Sequence, residues 1–119
     1  MRMQWTIGAA VAVIAFAVPA LAGPEGKYVV TGTNPGGGGS YSGTVTVARA
    51  GEDVWNVKWK VGNDTFVGTG VGNDDFISVG YKSGSTFGVA LYVREGRLWQ
   101  GVWAYGGASE VGQETWTPQ

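Results

Sequence analysis

The stretch Val54-Trp55-Asn56-Val57-Lys58-Trp59-Lys60-Val61 decides the fold class. Trp55, Val57, Trp59 and Val61 fall on one face, and Asn56, Lys58 and Lys60 fall on the other. Alternation with a period of two is the signature of a β-strand with one dry face and one wet face. The pattern repeats upstream, where Tyr41, Gly43, Val45 and Val47 oppose Ser42, Thr44 and Thr46. From residue 23 onward no segment shows a sustained helical period.

Breaker clusters flank this strand on both sides. They stand at Pro35 to Ser40, Ala50 to Asp53, Gly62 to Asp64, Gly72 to Asp75, Ser83 to Ser85, Glu95 to Arg97 and Gly106 to Ala108. Their centres lie about 10 to 13 residues apart, the spacing of a meander of short strands. Gly, Asn and Asp suit hairpin turns because they tolerate positive φ. Seven turns separate eight segments rich in Val, Thr, Trp, Tyr and Phe, which fit a pleated, half-buried surface. An eight-stranded antiparallel up-and-down barrel of calycin-like type is expected, since closure removes exposed sheet edges; an open sandwich is the alternative. The near-repeat of residues 61–70 (VGNDTFVGTG) in residues 71–80 (VGNDDFISVG) reads as two consecutive turn-plus-strand units. It does not continue, as a solenoid would require.

The N-terminal residues follow a different plan. Arg2 lies in a short leading segment, Ile7 to Val18 is an apolar run of twelve, and Ala20-Leu21-Ala22 offers a small-x-small cleavage pattern. Twelve residues fall short of the roughly twenty that span a bilayer. Residues 1–22 are therefore expected to be a cleaved secretory signal helix, and residues 23–119 a single barrel domain that is exported, periplasmic or extracellular. No other apolar run is long enough for a membrane helix.

Composition excludes several chemistries. Lys and Arg number eight against nine Asp and Glu, so removing Arg2 with the leader moves the net charge from −1 to about −2. Scattered charges of that kind give no footprint for nucleic acid. With no His and no Cys, the common nucleophilic triads and ordinary zinc or haem sites cannot be built, and no disulfide stabilises the fold. Pro35 to Ser40 lacks the Lys of a phosphate loop. Asn73-Asp74-Asp75 supplies too few oxygens nearby for a calcium shell. No metal, no cofactor and no enzymatic activity are expected.

Two readings of the interior stay open. An eight-stranded barrel is either filled by its own side chains or just wide enough for one small ligand. Trp55, Trp59, Trp99, Trp103 and Trp116, with Phe66, Phe76, Phe87 and several Tyr, suffice to plug it. Alternatively Trp55, Trp59, Trp99 and Trp103 line an aromatic pocket. Glu114 shares strand parity with Trp116, so an inward Trp116 puts this carboxylate at or near the interior, where it needs a partner such as Arg94 or Arg97. It is either a structural closure of the barrel end or a ligand-binding group. On the seventh strand, inward Trp99 and Trp103 send Leu98 and Val102 to the outer wall, a candidate surface for a partner or an oligomer.

Residues 26–47 (GKYVVTGTNPGGGGSYSGTVTV), with Val57 to Gly62, Gly101-Val102-Trp103 and Gly112-Gln113-Glu114, resemble small exported proteins of rhizobia and related proteobacteria labelled "fibronectin-binding protein". The resemblance covers nearly all of residues 23–119 and rests on Gly, Tyr and Trp spacing. It implies the exported β-rich fold and a fibronectin-binding-like contact, and it assigns no binding residues. Trp55 to Trp59 is similar to a strand of avidin-like barrels, without the polar residues that hold biotin there. Ser83-Gly84-Ser85 is similar to the inserted loop of small periplasmic lysozyme inhibitors, and is equally an ordinary turn. The leading expectation is a non-enzymatic exported binding module that meets a protein or envelope component through its outer wall or loops. A carrier of a small apolar or aromatic ligand, a lysozyme-inhibitor-like protein and a purely structural envelope protein are the alternatives.

Overall fold

The computed structural model describes residues 23–119, and the expected leader at 1–22 lies outside the described residues. Eight strands follow in order: β1 (Gly26–Thr33), β2 (Ser40–Gly51), β3 (Val54–Val61), β4 (Asp64–Gly72), β5 (Phe76–Ser83), β6 (Thr86–Glu95), β7 (Leu98–Tyr105) and β8 (Gly112–Pro118). Each pairs antiparallel with the next, and β1 pairs with β8 from Tyr28↔Pro118 to Thr33↔Gln113, which closes the barrel. The eight-stranded up-and-down barrel is thus the fold, and the open sandwich is excluded.

All seven connections fall where the breaker clusters stand. The turns Gly62-Asn63, Gly84-Ser85 and Gly96-Arg97 are two-residue hairpin loops that begin with Gly, and Gly62 has φ 59°. A Gly-X pair of this kind matches the right-handed twist of the flanking strands. The near-repeat does not build the same turn twice. Gly62 opens a tight hairpin, whereas Gly72 remains in β4 and Asn73 makes the turn. Its side-chain oxygen accepts from the backbone N–H of Asp75 (2.8 Å) and of Phe76 (3.3 Å). Similar words therefore serve two different ends of the barrel.

The two ends differ in kind. Chain segments 52–53, 73–75 and 96–97 lie at one end, together with Gly23 and Pro24. Pro24 is fully buried there, and its carbonyl accepts from the Tyr28 hydroxyl at 2.7 Å. The Arg94 guanidinium lies over Trp99, 5.0 Å from the ring centre, and donates to the carbonyls of Asp74 (2.8 Å) and Gly23 (2.9 Å). Trp55 donates to the Gly72 carbonyl (3.0 Å) beneath Arg49, whose guanidinium sits 4.4 Å from the ring. These contacts plug that end. The other end, framed by segments 34–39, 62–63, 84–85 and 106–111, is open.

Inward positions alternate along each strand and form one core that includes Tyr28, Val30, Val45, Val57, Ile77, Val79 and Trp116. Large rings fit because glycines face them. A Cβ at Gly101 would overlap the Tyr92 ring and the Leu91 carbonyl, and one at Gly32 would overlap the Tyr41 ring. The two tyrosines so accommodated are those that reach the interior carboxylate described next.

Candidate functional site

Glu114 projects inward from β8 and is 7% exposed. Its strand neighbour on the same face, Trp116, is completely buried. Four donors converge on the carboxylate. Oε1 accepts from the Tyr41 hydroxyl (2.5 Å). Oε2 accepts from the Tyr92 hydroxyl (2.7 Å), Trp116 Nε1 (2.7 Å) and Trp59 Nε1 (2.8 Å). Short bonds to an ionised acceptor are the strong kind, and together they replace the hydration that burial removes.

The partners come from β2, β3, β6 and β8, so the carboxylate ties together strands around the whole barrel. Their rings also pack on one another. Tyr92 and Trp116 lie 4.2 Å apart, and Trp59 meets Trp116 edge-on at 6.2 Å. This layer is a floor. Between it and the open end lies a cavity of about 250 Å³. Its walls are Tyr41, Val61, Phe66, Tyr81 and Trp103, with Trp59, Tyr92 and Glu114 below and Asn34 and Asp64 at the rim. Trp59, Tyr81 and Phe66 form a run of edge-on rings at 5.6 and 6.0 Å, with Tyr81 in the middle, and Tyr41 meets Trp103 in the same way at 6.1 Å. Trp103 Nε1 is buried without a hydrogen-bond partner. A wider depression of about 650 Å³ lies over Gly80 on the outer wall, but it opens broadly to solvent and encloses nothing.

Trp59, Trp103 and Glu114 come together at the cup. Trp55 and Trp99 are inward as well, each 1% exposed, but they pack at the plugged end and do not line it. The arginine partner expected for Glu114 is a correction. Arg94 serves the plugged end, and Arg97 is exposed in the β6–β7 turn at that same end. Glu114 instead sits near the start of β8, toward the open end, where tyrosine and tryptophan donors take the place of a cation. Parity along one strand gives the direction of a side chain but not its height in the barrel.

Tyr41, Tyr81, Tyr92 and Phe66 are the site residues that no motif announced. Tyr41 was readable as inward from its alternation with Ser42, but its hydrogen bond to Glu114 crosses 73 positions of chain. Val102 points outward as expected, beside Leu91, while Leu98 is half-buried opposite Glu95. No protein-family model matches the chain, and no curated protein matches it.

Burial and the negative charge of Glu114 push the cup's tyrosines up. Tyr81 rises to about 12, and Tyr41 and Tyr92 are raised as well, burial being the larger cause in each. At the plugged end burial also raises Tyr28.

Two expected outcomes follow from this geometry. Glu114→Leu strands four donors and should lower unfolding free energy by at least about 3 kcal/mol. Glu114→Gln should cost less than about 1.5 kcal/mol, because the amide oxygen can replace Oε2 and the amide N–H₂ can donate to a reoriented Tyr41 hydroxyl. Urea unfolding of both variants checks this, and equal losses would show that the charge itself holds the layer together. The second outcome concerns pH. Each raised tyrosine holds its proton more tightly folded than unfolded, so unfolding releases protons and is favoured as pH rises. The contribution is intact below the ordinary value of 10.0 and for Tyr81 is lost on the way to about 12. The urea midpoint should fall as pH climbs above that ordinary value, together with the appearance of tyrosinate absorbance. Ionisation of all five tyrosines while the barrel remains folded would contradict the assignment.

Proposed function

We propose that the protein is a binding module that holds one small organic molecule in the cup at the open end of the barrel. The observation that carries this reading is the cavity of about 250 Å³, walled by aromatic rings over a buried carboxylate. It lies just below the roughly 300–1,000 Å³ typical of pockets for drug-sized ligands, which suits a metabolite of modest size. Binding rather than catalysis is favoured because Glu114 is already committed to four hydrogen bonds that tie four strands together, with only Oε1, which accepts one of them, keeping acceptor capacity. With the leader expected at 1–22, the setting is a periplasm or the cell exterior.

A second reading has its own observation. Phe87, Val89, Leu91 and Val93 occupy successive outward positions of β6, with Phe87 and Val89 each 63% exposed. Val102 on β7 and Phe76 on β5 extend the strip, whereas the outer faces of β2 and β3 carry Ser42, Thr44, Thr46, Asn56, Lys58 and Lys60. An apolar face of this extent marks an interaction surface. Lys82 stands opposite Phe87 at one end of the strip, and Glu95 stands beyond Val93 at the other. A two-fold axis through the middle of the strip sets each lysine against the other copy's glutamate. The occupant that fits is therefore a second copy of this chain.

Each reading has a direct measurement. A library of metabolite-sized compounds, followed by tryptophan emission and thermal shift, should yield ligands that lose affinity when the cup is filled by Val61→Phe or opened by Phe66→Ala. Both residues are half-buried, so these variants should remain folded. Ligands that bind wild type and both variants alike would place the site elsewhere. For the strip, light scattering should report a dimer that Val89→Lys converts to a monomer with little change in melting temperature. A monomeric wild type would leave the strip to a different partner.

A further inference from the structure

The electrostatics of the cup restrict what it can hold, given the reading that the cup is the binding site. Among the described residues, the carboxylates that line it are Glu114 at the floor and Asp64 at the exposed rim, and no Lys or Arg lines it. Lys60 and Lys82, on the neighbouring strands, point to the outer face. The buried carboxylate is bonded only to neutral donors, so its negative charge has no compensating cation among them. An anionic ligand would be repelled, and a neutral one would gain nothing from that charge.

The hydrogen bonds then select among cations. A primary ammonium brings three N–H donors that need acceptors. Oε2 of Glu114 already accepts three bonds and Oε1 one, so the carboxylate has at most one site left for those three donors, and the others would have to turn to tyrosine hydroxyl oxygens. A divalent metal ion would likewise need bare oxygens that are not on offer. An alkylated ammonium needs none. Its charge is spread over methyl groups, it is easily stripped of water, and it is attracted to aromatic faces. Trp59, Phe66, Tyr81 and Trp103 offer such rings around the cavity. We propose that the ligand of this cup is a small alkylated ammonium ion, a quaternary amine above all, held by ring faces over the Glu114 carboxylate.

Three probes of nearly one shape isolate the charge, and a fourth without the methyl groups tests the alkylation. Choline carries the quaternary ammonium, 3,3-dimethylbutan-1-ol is its neutral counterpart, 3,3-dimethylbutanoate is an anion of the same bulk, and ethanolamine carries a primary ammonium. Titration calorimetry on the purified protein should show choline binding at least about ten-fold more tightly than each of the others. Glu114→Gln should weaken choline by a larger factor than the neutral alcohol and so narrow the gap between the two. Asp64→Asn should weaken choline by roughly two- to five-fold, as expected for an exposed charge. Equal binding of the alcohol, or tighter binding of the acid or the primary amine, would overturn the cation assignment while the cup remained a ligand site. No binding by any probe at high millimolar concentration would also overturn it, and the library screen alone would then decide whether the cup binds a molecule of another class.

Discussion

The barrel is organised around one buried carboxylate, and the identities of its neighbours follow from the need to keep that charge bonded without water. Removing an ionised group from solvent costs several kcal/mol even after relaxation. Glu114 offsets that cost with two tyrosine hydroxyls and two indole N–H groups drawn from four strands. Each donor is an aromatic side chain, so the atoms that satisfy the charge are attached to rings that fill the barrel. One layer therefore meets a polar requirement and packs the core. Gly101 and Gly32 serve the same layer, since any side chain there would collide with the Tyr92 or Tyr41 ring.

The layer divides an otherwise regular barrel into two unlike halves. Below it, Trp55, Trp99, Tyr28 and Pro24 fill the interior, and Arg94 fastens Gly23 and the β4–β5 turn across the end. Above it, the rings stand back from the axis and leave a cup. A chain without disulfides can keep such a cavity only if the rest of its core is well filled, because empty volume lined by side chains forfeits packing energy. The plugged end supplies that filling, and the open end carries the chemistry.

Much of the architecture was legible along the chain. Turn residues recur at regular intervals and the strand Val54 to Val61 alternates cleanly, so strand number, antiparallel order and the inward face of β3 could be read directly. The parity of Glu114 with Trp116 also pointed to an interior carboxylate. What misled was distance along the barrel axis. Trp55 and Trp99 share the inward face with Trp59 and Trp103 but lie at the far end, and Arg94 lies there with them. The apolar strip on β6 was present in the sequence as Phe87, Val89, Leu91 and Val93, yet the inward partners Ala90 and Tyr92 are apolar too, and so the alternation was masked.

The sequence by itself determined the local matters: which segments are strands, where they turn, and which side of each strand is dry. These are properties of period-two patterning and of turn chemistry, and they act over a few residues. Only the tertiary structure decided that Tyr41, Trp59, Tyr92 and Trp116 share one acceptor, and that rings above it leave a cup open. Those facts depend on the height of each strand relative to its neighbours once the barrel closes between β1 and β8. Closure joins residues far apart in the chain, and no local pattern encodes that stagger.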